Sequence, residues 1–138
     1  MGAYGAVVAA GGLLVRRRGG PPERLGADDL ALVAIATHKL SRLVAKDPVT
    51  SPLRAPFTRF AGTAGPAELK EEVKGTGAQK AMGELLTCPF CIGQWVATAM
   101  VFGLALTPRA TRMVAGTFTV LTAADFLHFA YSAAEKLE

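Results

Sequence analysis

Two cysteines stand in the tetrapeptide Cys88-Pro89-Phe90-Cys91, where a long apolar run begins. Cysteines three apart at a helix start put two sulfurs on adjacent turns, near enough to share a metal ion or to close a disulfide. Asp125 and His128 lie i, i+3 in a later apolar run and so share one helix face. An ionisable side chain inside an apolar run is a functional suspect, because burying it is costly.

Three readings of these residues compete. In the first, Cys88, Cys91 and His128 hold a metal ion, with Asp125 or His38 as the fourth ligand; zinc suits such a set, although one Cys-x-x-Cys pair is half of a zinc signature. In the second, the helix N-terminus lowers a thiol pKa and favours thiol–disulfide exchange. Glutaredoxins carry a similar tetrapeptide, but after a strand in a βαβ pattern that is missing here. The third and simplest needs no cofactor. The cysteines pack as small hydrophobes, and Asp125 pairs with His38, Lys39 or Arg42, or faces Gln94. No Gly-rich phosphate loop, Ser-His-Asp arrangement or nucleic-acid motif is present.

The elements that must position these groups follow from hydropathy. Residues 88–106 are 19 residues without a charge, and residues 113–131 are 19 more with Asp125 and His128 as their ionisable groups. Each rises about 28 Å as a helix, enough to cross a bilayer core. With a six-residue turn at 107–112 they form a transmembrane hairpin over 88–131. That register sets Cys91 level with His128, and Gln94 level with Asp125. Residues 3–15 are uncharged but rise only about 20 Å, a marginal span before Arg16-Arg17-Arg18. Gly19-Gly20-Pro21-Pro22 breaks the chain. Asp28 then caps a helix over 28–45 whose second half is two-faced, with His38, Arg42 and Lys46 on one side. Such a helix suits the membrane boundary. Prolines at 48, 52 and 56 make residues 46–60 an extended segment. Residues 61–80 are a polar loop, with one short exposed helix expected near 67–74.

The expected fold class is therefore all-α: an integral membrane helical protein with a C-terminal hairpin, an amphipathic interfacial helix and a marginal N-terminal span. Residues 1–27 form the N-terminal segment and basic linker, and 28–138 a single membrane domain. The 138 residues are 51% hydrophobic and 19% charged, with mean hydropathy +0.32. This excludes disorder, and two cysteines exclude a disulfide scaffold. The net charge of +4 comes from basic residues flanking apolar runs, as membrane proteins place them, so no nucleic-acid partner is expected. With helix 28–45 on the surface, thirteen basic residues fall on one side and Arg109 and Arg112 on the other. Residues 46–87 are then cytoplasmic and 107–112 outside.

Three stretches carry a resemblance: Thr37-His38-Lys39-Leu40-Ser41-Arg42-Leu43, the run from Lys46-Asp47-Pro48 to Arg54-Ala55-Pro56-Phe57, and Gly83-Glu84-Leu85-Leu86-Thr87-Cys88-Pro89-Phe90-Cys91. Together they resemble the bacterial family called domain of unknown function 1360, small integral membrane proteins of which some are associated with sporulation. The resemblance covers roughly residues 28–135. It implies a multi-pass protein of the bacterial plasma membrane with no established activity. It marks His38, Arg42, Asp47, Glu84, Cys88, Cys91 and Asp125 as positions of the family pattern and leaves His128 unplaced. The function expected is a non-enzymatic assembly or envelope factor in contact with the lipid bilayer and with a membrane-protein partner or a second copy. The alternative is a membrane protein with a Cys-x-x-Cys metal site or thiol redox activity.

Overall fold

The computed structural model describes residues 2–22 and 24–137. Helix α1 (Gly2–Arg17) ends where Gly19 and Gly20 take left-handed φ angles of 115° and 90°, which side chains resist. Helix α2 (Ala27–Lys46) carries Asp28 and Asp29 in its first turn and Lys46 in its last, matching the helix dipole at both ends. A 3₁₀ turn (Pro48–Thr50) and the one-turn helix α3 (Ser51–Arg54) follow. Strands β1 (Thr58–Gly65) and β2 (Glu68–Val73) form an antiparallel hairpin. Helices α4 (Gly77–Thr87), α5 (Pro89–Leu106) and α6 (Pro108–Glu135) complete the chain. It divides into two compact units: a helical unit of Met1–Lys39 with Ala97–Glu138, and a polar unit of Leu40–Val96.

In the helical unit, α5 and α6 are long and apolar enough to cross a membrane. Thr107 alone separates them, and Pro108 opens α6, where its missing N–H costs nothing. A Cβ added to Gly103 would lie 2.6 Å from Thr111 Oγ1, so the arms touch just beyond the turn. Helix α1 lies along α5: the Tyr4 and Thr98 hydroxyls are 2.9 Å apart, and the Phe102 ring fills the place of a side chain on Gly11. Helix α2 lies along α6 in the same direction. Arg112 grips Asp29 with two bonds of 2.7 and 2.6 Å, Thr119 Oγ1 is 3.4 Å from Leu32 O, and Lys39 Nζ is 2.5 Å from Asp125 Oδ2.

Two expectations change here. The hairpin register pairs Gly103 with Thr111, whereas a six-residue turn would have paired it with Gly116. Pro108 starts α6 five residues early, so the levelling of Cys91 with His128, and of Gln94 with Asp125, loses its basis. Helix α2, expected at the membrane boundary, is aligned with α6 at three successive levels. Within the helical unit, α2 therefore shares the surroundings of α6. Asp125 does have a partner on α2, and it is Lys39 among the expected three.

The polar unit departs further from an all-helical fold. The segment expected as a helix near 67–74 is strand β2. Leu69, Glu71 and Val73 alternate inward against exposed Lys70 and Glu72, a period of two that the glutamate disguises. The segment expected to be extended over 46–60 holds two helical turns, because Pro48 and Pro52 each open a turn rather than interrupt one. Gly83 lets α4 close on the hairpin: a Cβ there would meet Val73 Cγ1 at 2.6 Å and Phe57 O at 3.0 Å.

Arg54 is wholly buried in this unit. Its Nε bonds Glu71 Oε2, Nη1 reaches Val44 O and Thr50 Oγ1 at 2.6 Å each, and Nη2 reaches Asp47 O at 3.0 Å. Ser51 Oγ donates to the other Glu71 oxygen at 2.8 Å. Removing one partner of such a pair strands the other charge, at a cost of about 3–5 kcal/mol. Arg54→Met or Glu71→Leu alone should abolish amide hydrogen-exchange protection across β1 and β2 in the full chain. The double replacement should restore much of it. A single variant with native protection would show that the pair does not hold the unit.

Candidate functional site

The cysteine pair sits at a break between two helices. Pro89 disfavours a helical residue before it, and Cys88 is extended at φ −102°, ψ 106°. Helix α4 ends there and α5 begins one residue later. The Cys88 carbonyl accepts from the Cys91 and Ile92 amides at 3.1 and 3.0 Å, and its sulfur lies 3.3 Å from the Cys91 amide. Cys88 thus caps α5 with its own side chain. Cys91 Sγ lies 2.7 Å from Cys88 Sγ, and both residues are free cysteines.

The end of α2 runs beside this turn. A Cβ on Gly93 would stand 3.7 Å from the Ser41 side chain, and the Lys46 charge acts on Cys88. The Cys91 thiol, donating to the Cys88 sulfur, holds the Cys88 thiol below its ordinary range. Partial burial opposes this, while the Cys91 and Phe90 amides and Lys46 add to it. Cys91 is exposed, Cys88 is half-buried, and Phe90 is 93% exposed. The protein itself therefore does not pack this pair away, as small hydrophobes at a helix start would be. The arrangement supplies a thiol of lowered pKa with a second thiol in reach, or two sulfur ligands for an ion whose other ligands come from elsewhere.

The other expected site residues divide between the units. In the polar unit, Arg42 pairs with Glu68 at the start of β2. Asp47 caps the 3₁₀ turn, accepting from the Val49 amide at 2.8 Å. Glu84 is exposed, 3.8 Å from Lys80. In the helical unit, Asp125 holds Lys39, while His38 and His128 are exposed on α2 and α6. Among the described residues, no group of three or more His, Cys, Asp or Glu side chains is placed to hold a metal ion. Sequence reasoning passes over Arg54, Glu71 and Glu68 as paired residues and places Lys46 only on the polar face of its helix. Arg54 and Lys46 lie inside the motif that carries the resemblance, but an arginine between prolines gives no sign of being buried.

The thiol geometry makes a prediction about alkylation. A lowered pKa keeps the thiolate populated at lower pH, so the rate falls off only below that pKa. Cys91→Ser keeps a hydrogen-bond donor and should hold the Cys88 midpoint low. Cys91→Ala removes it and should move the midpoint up toward an ordinary thiol. Equal midpoints in these two single-cysteine proteins would refute the donor role of Cys91.

Comparison with known proteins agrees with the three motif stretches. A family model described as a protein of unknown function, DUF1360, matches residues 32–131. Sporulation protein YjcA of Bacillus subtilis (strain 168) is 33% identical over 86 residues, which cover 60% of this chain and 73% of the relative. No solved structure matches the chain. The matched span takes in the α2–α6 pairing at Lys39 and Asp125, the Arg54–Glu71 pair and both cysteines, and over that span the chain belongs to the DUF1360 family.

Proposed function

We propose that the chain is a multi-pass bacterial membrane protein, its helical unit in the bilayer, that serves spore formation as a non-enzymatic assembly or envelope factor. The observation that carries the membrane reading is the uncovered apolar surface of α5 and α6. In their most apolar 18-residue windows only 11% and 6% of residues are buried. Val120, Phe126 and Leu127 are each about 70% exposed. Water would penalise that surface, and lipid tails would not. The sporulation role rests on the name of the relative. The partner-binding role falls to the polar unit, whose charged hairpin is fixed by buried ion pairing.

The alignment of α2 with α6 changes the membrane path. Where α6 crosses, residues 27–39 of α2 run beside it, and the remaining turns of α2 belong to the polar unit. The split of basic residues then becomes six against eight, with Lys39 between them. Charge no longer decides which side faces the cytoplasm, but the path decides which loops share a side. Residues 18–26 and the turn at Thr107 fall together, opposite 47–88.

The dithiol favours one second reading, thiol–disulfide exchange, on the observation that Cys91 is exposed with its sulfur 2.7 Å from that of Cys88. The Cys88→Ser, Cys91→Ser double variant separates the two. Under the assembly reading it supports sporulation in the source bacterium at the wild-type level. Loss of spores with normal protein abundance would favour the thiol reading.

The membrane reading is tested with alkaline extraction and impermeant thiol labelling of single cysteines in a cysteine-free background. The chain should stay in the alkali-washed membrane. Cysteines at Ala27 and Ala110 should label from one side and one at Lys70 from the other. Labelling of Ala27 together with Lys70 would return α2 to the surface.

A further inference from the structure

Beside α1 and α5 the helical unit holds a cavity of about 660 Å³. Ala9, Gly12 and Leu13 line it from α1, and Val101, Phe102 and Ala105 from α5. Its end wall is made where the chain turns back. The Gly20 amide bonds Val15 O at 3.0 Å across the two left-handed glycines, which brings Pro21, Pro22 and Leu25 over the groove. Arg16 is the charged residue on these otherwise apolar walls, and Arg17 and Arg18 follow it. Among the described residues, none of these three arginines has an acidic partner, whereas Arg42, Arg54, Arg59 and Arg112 each do.

We propose that this groove binds an anionic phospholipid, one acyl chain between α1 and α5 and the headgroup phosphate on Arg16. The inference rests on the membrane reading above. The volume lies within the range of ligand pockets. Apolar walls accept hydrocarbon and offer nothing to a polar solute. A guanidinium at the rim takes two phosphate oxygens in a bidentate bond. Arg17 and Arg18 add the local positive field that selects an anionic over a zwitterionic headgroup. Charge complementarity thus sets the occupant: a second copy of α1 would bring another three arginines to the same rim. The α1 wall lies outside residues 32–131, so the groove is a feature of this chain beyond the family match.

The test uses the full chain in nanodiscs of phosphatidylcholine doped with phosphatidylglycerol, then returned to detergent for native mass spectrometry. The wild type should retain one phosphatidylglycerol, roughly fivefold in preference to phosphatidylcholine, the ratio that one surface basic residue implies. Arg16→Gln should keep a lipid but lose the preference. Gly12→Leu should lose both lipids; a Cβ at Gly12 meets nothing within 4 Å, so the side chain grows into the groove and helix content should match the wild type by circular dichroism. Equal retention of the two lipids by the wild type, or wild-type retention by Gly12→Leu, would overturn the proposal. So would a lipid-free dimer that Gly12→Leu splits. A chain released by alkaline washing fails the membrane reading instead; a chain that resists washing but retains no lipid fails only this one.

Discussion

The polar unit hangs on a guanidinium taken out of water. Burying a charge is expensive unless every donor is met, and Arg54 is met by a carboxylate, a hydroxyl and two backbone carbonyls. The carbonyls matter most. Val44 O belongs to the last turn of α2, whose carbonyls lack intrahelical partners, and Asp47 O, which also accepts from the Thr50 amide, opens the 3₁₀ turn that follows. Glu71 brings β2 to the same point, and Thr50 and Ser51 bring the 3₁₀ turn and α3. Ala45 is the buried hydrophobic residue this unit contributes among those described, beside Ser41, Thr50, Arg54 and Thr58. With so little apolar area to bury, directional polar bonds must supply the order that a hydrophobic core usually supplies.

The helical unit solves the opposite problem. The faces of α5 and α6 are largely apolar and exposed, so packing alone would let α2 slide along α6. Two ion pairs fix the register. Asp29 to Lys39 spans ten residues of α2, about 15 Å, and Arg112 to Asp125 spans thirteen of α6, about 20 Å. The long side chains of Lys39 and Arg112 absorb the difference. A slip would separate opposite charges, so the pairs act as stops as well as attractions. Val33 and Ala36 of α2 and Ala115 of α6 are buried within this unit.

The legible part of this molecule was its hydropathy. The 19-residue apolar runs, the break at Gly19-Gly20-Pro21-Pro22 and the need of Asp125 for a cation on α2 all follow from cost and length. The hairpin turn did not, because Pro108 was read as part of a loop rather than as a first helical residue. Strand β2 was hidden because its inward face carries Glu71, and a buried glutamate looks like a solvated one until Arg54 is seen. On α2 the wet side expected to carry His38, Arg42 and Lys46 gives no sign that Arg42 pairs with Glu68, and the pairing of Lys39 with Asp125 is one of three that the pattern leaves open. Single-chain patterns register what a residue costs to bury and carry no record of the partner that removes the cost.

The cysteine site is where the polar network and the apolar helices meet in sequence. The Cys91 thiol, donating to the Cys88 sulfur, is the first cause that holds the Cys88 thiol below its ordinary range, and the helix break at Pro89 sets the two residues in that turn. The thiolate also draws on Lys46, the last residue of α2. Lys46 is held there by the same turn whose carbonyls Arg54 binds, between Val44 and Asp47. Loosening the buried pair would thus release the Lys46 charge, the smallest of the contributions that lower the Cys88 pKa, and leave the larger bond from Cys91 in place. A lysine at a helix C-terminus is stabilised by the dipole, but it acts on a nearby thiol only while that last turn keeps its position. In this fold the position is set by a bond network that begins at Arg54.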